Sequence, residues 1–208
     1  MKNSGKIIKR IESSFNHRLK IVLKDGKKLL NTKNTNYSYG PLVDVLEYGL
    51  DSIPFTNIGS VLLLGMGAGS IIKSLRTKYN CQAPVTAVEI DPVVIDIAYK
   101  EFNIGRKEKL EIHCKDAWNF VKNCKTEFDL IIVDIFIDLT VPEKFYTPEF
   151  WRMIEKITKN NGFVLFNAGI DLKKKEVRDF VSNLPEEFIF QKNYNVLNSN
   201  TVIIKQKI

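Results

Sequence analysis

Three glycines stand two residues apart in "VLLLGMGAGS", at Gly65, Gly67 and Gly69, directly after a run of apolar residues. Glycine weakens regular structure. Its repetition at the end of a buried strand marks a place where the backbone turns with positive φ or lets another group come close. In an open α/β sheet that place lies beyond the carboxyl ends of the strands, where ligands bind. The helix that opens near Ser70 aims free N–H groups at the same spot. Alone, such a loop is equally a tight structural turn. The next strand ends in "VEID", and Asp91, just before Pro92, is the better helix cap there. Glu89 is then left free at the strand tip, where an acid can accept both hydroxyls of a ribose. A third strand ends in "HCKDAW". Asp116 there either caps the following helix or accepts from an adenine amino group. Together the three loops describe an adenosine site. The order G-x-G-x-G followed by Ser70 departs from the G-x-G-x-x-G of pyrophosphate binding, which disfavours a nicotinamide dinucleotide.

These residues need a sheet edge to hold them, and the sequence supplies one. From residue 60 onward short apolar runs alternate with amphipathic stretches. "SVLLL", "PVTAVEI", "KLEIHC", "FDLIIVDIF" and "GFVLFNAG" read as strands. "SIIKSLRTKY", "PVVIDIAYKEF", the stretch around "AWNFV" and "TPEFWRMIEKI" read as helices, the second with its proline in the first turn. Such alternation predicts a mostly parallel sheet covered by helices on both faces. "KKEVRDFVSNL" adds a helix, and "EEFIFQ" and "NVLNSNTVIIKQ" add two strands. Upstream, Leu42, Val45, Leu46 and Leu50 have helical spacing, and "RLKIVLKDGKKLL" alternates around Asp25-Gly26, a hairpin signal. The expected division is a small β region over 1–36 and a nucleoside-binding domain over 37–208.

Composition sets the frame. An apolar content of 44% with 26% charged residues belongs to an ordinary globular protein. No run of about 18 apolar residues suggests a membrane span, and the lysine-bearing start lacks the apolar core of a secretory signal. Cys81, Cys114 and Cys124 lack metal-type spacing and read as reduced thiols, so a cytoplasmic location and no metal are expected. Residues 1–36 hold ten Lys/Arg, from Lys2 to Lys33, against Glu12 and Asp25, so the rest of the chain is close to neutral. A basic segment suits an anionic partner; a solvated, lysine-rich β face is the simpler reading.

"VLLLGMGAGS", "VTAVEIDPVVIDIAYKEF", "LEIHCKDAWNFV" and "FDLIIVDIFIDLTVPEKFYTPEFW" resemble the spermidine synthase family, which shares the class I S-adenosylmethionine-dependent methyltransferase fold; "NSNTVIIK" resembles its last strand. The resemblance implies an α/β, Rossmann-like, seven-stranded, mostly parallel sheet with a small N-terminal β hairpin region, and dimerisation through the N-terminal strands. It implies a donor built on adenosine and a sulfonium, S-adenosylmethionine or its decarboxylated form. By position Gly65, Gly67 and Gly69 would line that donor, Glu89 would hold the ribose and Asp116 the adenine. Asp134 matches the family's catalytic aspartate, which holds an amine and accepts its proton; the plainer role for Asp134 is a cap at a strand end. Asp138, Tyr39 and Tyr146 would face the acceptor. Tyr37, Tyr39, Phe136, Tyr146 and Trp151 are candidates for the pocket walls, although such aromatics are more often core, Trp151 above all because it lies on the helix "EFWRMIEKI".

The chain departs from that pattern. Ala68 stands where the family carries an acid that grips the donor's amine, Thr35-Asn36 replace an acidic pair, Gly40-Pro41 follow Tyr39, and Asp138 comes one residue late. Losing carboxylates from a shielded pocket is costly for a dication. The departures therefore place methyl transfer to a small acceptor first, aminopropyl transfer to a polyamine second, and a non-catalytic nucleoside-binding or dimerisation module third. A nucleic acid acceptor is disfavoured, because methyltransferases of base amino groups put a polar residue and two prolines after the fourth strand, and "DIFID" has neither proline.

Overall fold

In the computed structural model, which describes residues 5–32, 36–38, 41–105, 109–137, 140–169, 179–180, 188–197 and 200–208, Asp25 and Gly26 turn with φ of 50° and 74°. Two left-handed residues in succession match the twist of a two-residue hairpin. They join β2 (His17–Lys24) to β3 (Lys27–Asn31), and with β1 (Lys6–Ser13) and β4 (Asn36–Ser38) these form an antiparallel sheet in the order β1-β2-β3-β4. Its inner face buries Leu19, Ile21 and Leu30 against Val94 and Ile97 of α3 (Pro92–Phe102). Most of β1 is exposed, as a solvated lysine-rich face should be. Two basic residues, Lys9 of β1 and Lys28 of β3, dock the sheet on Glu101 at 3.0 and 2.9 Å.

The turn between β1 and β2 makes a second attachment. Ser13 Oγ and Asn16 Nδ2 both donate to Asp91 Oδ2, Asn16 at 2.7 Å. Asp91 is wholly buried, and its other oxygen caps α3 by accepting from Val93 N. Hydrogen bonds to a buried carboxylate are the stronger kind. Asn16→Ala is therefore expected to lower unfolding stability by about 1–2 kcal/mol, measured by urea denaturation.

The main sheet follows α1 (Pro41–Leu50) and grows from β5 (Val61–Leu64), whose four side chains are all wholly buried. Val61 and Leu63 face α1 and α2 (Ser70–Thr77). Leu62 and Leu64 face α4 (Ala117–Asn123) and α5 (Pro148–Lys156). A strand covered on both faces has no polar side to alternate with, which explains the unbroken apolar run. The remaining strands are β6 (Val85–Glu89), β7 (Leu110–Cys114), β8 (Phe128–Val133), β9 (Thr158–Asn167), β10 (Phe188–Val196) and β11 (Asn200–Lys207). The seven run in the order β10-β11-β9-β8-β5-β6-β7, parallel from β9 to β7 and antiparallel at β11 and β10. The chain leaves β5 toward β6 and later crosses back to β8, so the carboxyl ends of β5 and β8 form the switch point where such sheets open a crevice.

Two strands differ from their sequence reading. β8 stops at Val133 because Asp134 turns out of the sheet against Gly65. β9 begins at Thr158, four residues before Gly162; a register shift opposite β8 and Asn161 at φ 62° absorb an irregularity there. The helix expected at "KKEVRDFVSNL" falls mostly outside the described residues. Among the described residues no helix is long and apolar enough to cross a membrane.

Candidate active site

All three glycines have positive φ, 87° at Gly65, 54° at Gly67 and 81° at Gly69, so the loop geometry expected from sequence is present. What two of them make room for is different. A side chain at Gly65 would collide with the carbonyl oxygen of Asp134, whose carbon would lie 2.8 Å away. A side chain at Gly69 would meet Ile104 at 2.5 Å. These bare α-carbons admit the protein's own groups: Gly65 lets the ends of β5 and β8 close up, and Gly69 lets the start of α2 pack on Ile104. Asp134 N donates to Leu64 O at 2.8 Å and fixes that closure.

Glu89 is 4% exposed and does not stand free at the tip of β6. Its Oε2 accepts from Gly67 N at 2.9 Å and its Oε1 from Asp91 N at 3.1 Å. The carboxylate thus faces the glycine loop and braces it, with one lone pair on each oxygen committed to backbone. Burial pushes its pKa up to about 7 against the opposing pull of those N–H donors. Beside it Ile90 leaves a large apolar side chain exposed at the same tip.

Asp116 takes the helix-capping role: its Oδ1 accepts from Asn119 N at 3.0 Å at the start of α4. Its Oδ2 accepts from Lys144 Nζ at 2.7 Å, an ion pair that sequence reading did not anticipate. Any base amino group would share Oδ2 with Lys144 rather than find a free carboxylate.

Asp134 lies just past β8, partly buried, and desolvation raises its pKa to about 6. Its Oδ1 accepts from Asn167 Nδ2 at 2.9 Å. Neither Asn167 nor Asn200 behind it was anticipated as a site residue. Tyr146 does not point a free hydroxyl at a cleft. Its O–H donates to Ala168 O at 2.9 Å, and its ring packs edge-on against Phe166 and Phe180. Trp151 is wholly buried and donates Nε1 to Phe145 O at 2.9 Å, so it belongs to the core. Tyr39 and Asp138 lie outside the described residues. Gly65, Gly67, Glu89 and Asp134 thus converge on one strand edge. Tyr146 meets the Ala168 backbone beside it.

The profile of the spermine/spermidine synthase domain matches residues 44–207, which hold the whole main sheet. This chain belongs to that family. Within the family it is 34% identical over 116 residues to the polyamine aminopropyltransferase of Sulfurisphaera tokodaii, covering 51% of this chain and 38% of that protein. It is 31% identical over 138 residues to the polyamine aminopropyltransferase of Buchnera aphidicola, covering 64% of this chain and 48% of that protein. The spermidine synthase-family chain therefore spans about half the length of these relatives or less. Its fold matches the crystal structure of a probable spermidine synthase from Corynebacterium glutamicum with a TM-score of 0.79 at 16% identity, over 97% of this chain and 80% of that one. That likeness establishes the class I methyltransferase-like fold with its appended antiparallel sheet.

Proposed function

We propose that this chain is an alkyl transferase of the aminopropyl type, taking its alkyl group from an adenosyl sulfonium and giving it to an amine. The reading rests on Glu89 and Asp134 flanking one glycine loop at the carboxyl edge of β5, β6 and β8, inside the stretch matched by the synthase family. The sequence departures favoured methyl transfer, and the family match reverses that order.

The residues fit such a donor. The Glu89 carboxylate, held in place by backbone N–H groups of Gly67, Asp91 and Ile90, keeps acceptor capacity that suits a sugar hydroxyl. Ile90 offers apolar surface to a base, and Asp116 an acceptor shared with Lys144. When bound, the decarboxylated donor supplies a methylene carbon activated by positive sulfur. The amine nitrogen bonds to that carbon, the carbon–sulfur bond breaks, and the thioether leaves with the electron pair. Asp134 takes the proton that the amine gives up. A carboxyl whose pKa is about 6 is mostly ionised at neutral pH yet basic enough for this work.

Methyl transfer stays as a second reading because of Ala68. It is wholly buried in the cluster of Leu19, Ile21, Leu30, Val94 and Ile97, so apolar packing occupies the position where, by resemblance, the family grips the donor's amine with an acid. Calorimetry with S-adenosylmethionine and with its decarboxylated form, each with and without putrescine, decides between them. The decarboxylated donor should bind and turn over with putrescine. A methylated amine formed from S-adenosylmethionine, with no turnover of the decarboxylated donor, would install methyl transfer instead, and binding of neither would leave a non-catalytic module.

Glu89→Gln tests the donor end. Glutamine has one acceptor oxygen where backbone N–H groups converge on two, so the loop loses a brace and the donor an acceptor. Donor affinity is expected to fall about 100-fold, roughly 3 kcal/mol, by calorimetry.

A further inference from the structure

We propose that Asn200 and Asn167 form a relay, running from β11 through β9 to β8, that positions the Asp134 carboxylate. Asn200 Nδ2 donates to Asn167 Oδ1 at 2.8 Å, and Asn167 Nδ2 donates to Asp134 Oδ1 at 2.9 Å. The orientation of the central amide is not a free choice. Gly169 N–H, a group that can only donate, lies 3.3 Å from Asn167 Oδ1. That end of the amide must be oxygen, so the end facing Asp134 must be N–H.

Both asparagines are 1% exposed. Two amides taken out of water are costly unless their bonds are made, and a pair spent beside one carboxylate is more than packing requires. The segment behind them is held by backbone. Ala168 N donates to Thr201 O and Thr201 N to Gly169 O, each at 2.9 Å, and Asn167 pairs with Val202 in the sheet. The relay is therefore anchored on two strands while the carboxylate it holds sits beyond the end of a third.

The donor being a neutral amide matters. A lysine or arginine at position 167 would hold Asp134 equally well but pull its proton affinity far down. An amide orients the carboxylate, partly offsets its burial, and leaves it able to receive a proton. Asn167 and Asn200 are positioning residues; they act through Asp134. The inference rests on the reading of Asp134 as proton acceptor only for its catalytic consequence, since the hydrogen-bond chain itself is independent of it.

The test reads Asp134 directly. In the full chain labelled with 13C at aspartate carboxyls, the Asp134 resonance is the one that disappears in Asp134→Asn, and its midpoint is followed against pH. Asn167→Leu removes the donor at similar volume and should raise that midpoint by about one pH unit, a tenfold change in proton affinity. Asn200→Ala removes one of the two donors on Asn167 Oδ1, leaving Gly169 N–H, and should raise it by a smaller amount, about twofold to threefold in proton affinity. Donor affinity should stay within about threefold of the parent in both, because neither touches Glu89 or the glycine loop. The acid limb of the rate–pH profile should move with the midpoint. An unchanged midpoint in folded Asn167→Leu overturns the relay. If that variant does not fold, an unchanged midpoint in Asn200→Ala overturns it equally. A shifted midpoint in a chain that binds no adenosyl donor leaves the relay standing and removes the transferase reading instead.

Discussion

Asp134→Asn should abolish transfer, keep the donor, and make the protein more stable at neutral pH. Loss of a general base lowers rates by about 10²–10⁴-fold. Donor affinity should change little, since Asn still accepts from Asn167 Nδ2 and the backbone bond from Asp134 N to Leu64 O is untouched. The stability gain follows from linkage. Asp134 has a folded-state pKa raised to about 6 by burial. The folded chain therefore holds this proton over a range where the unfolded chain has released it. Stability from this group is full below the unfolded pKa of about 4 and falls as pH rises through the folded value. Asparagine has no proton to lose. The difference in unfolding free energy between variant and parent should be near zero at pH 4, grow up to about pH 6–7, and then level off at roughly 1–3 kcal/mol. Chemical denaturation across that range measures it. An inactive variant whose stability gain over the parent is no larger at pH 8 than at pH 4 would mean that desolvation does not raise the proton affinity of this carboxyl group.

Gly65→Ala should be the most damaging single methyl in the chain. Two strains add. One is conformational, because φ of 87° disfavours any side chain. The other is steric, because the new methyl would collide with the Asp134 carbonyl. Gly26 separates the two. It has a similar φ of 74°, and a side chain there would meet nothing within 4 Å. Gly26→Ala should therefore cost only about 1 kcal/mol, whereas Gly65→Ala must also push the ends of β5 and β8 apart and should cost at least about 3–5 kcal/mol. Against a typical total of about 5–15 kcal/mol, that populates unfolded chain. Urea midpoints of the two variants, measured side by side, give the difference. Equal midpoints would show that the Gly65 contact yields without penalty.

Much of the fold was legible because its signals are local. The unbroken apolar run of β5, the Asp25-Gly26 turn and the Asp91-Pro92 helix start each carry their own cause, and each element stands where it was expected. The site was legible only as a set of positions. Sequence spacing shows that Glu89 ends a strand, but not that two backbone N–H groups converge on its oxygens. Gly65 marks a backbone that cannot bear a side chain, but the neighbour that forbids it, Asp134, is 69 residues away and brought close by the crossover to β8. Asn167 and Asn200 carried one faint signal, a polar residue closing an otherwise apolar strand in "VLFNAG" and another opening one in "NTVII". Pairing them required knowing that β11 lies antiparallel against β9.

That placement of β11 has a protective side. β11 is inserted between β9 and β10, although β10 precedes it along the chain. Without β11, β10 would have no strand beside it among the described residues and the outer backbone edge of β9 would be open to pairing with another chain. The long-range zipper that closes this gap brings Asn200 up to Asn167 in the same motion. One strand thus both closes an edge open to aggregation and completes the carboxylate's support.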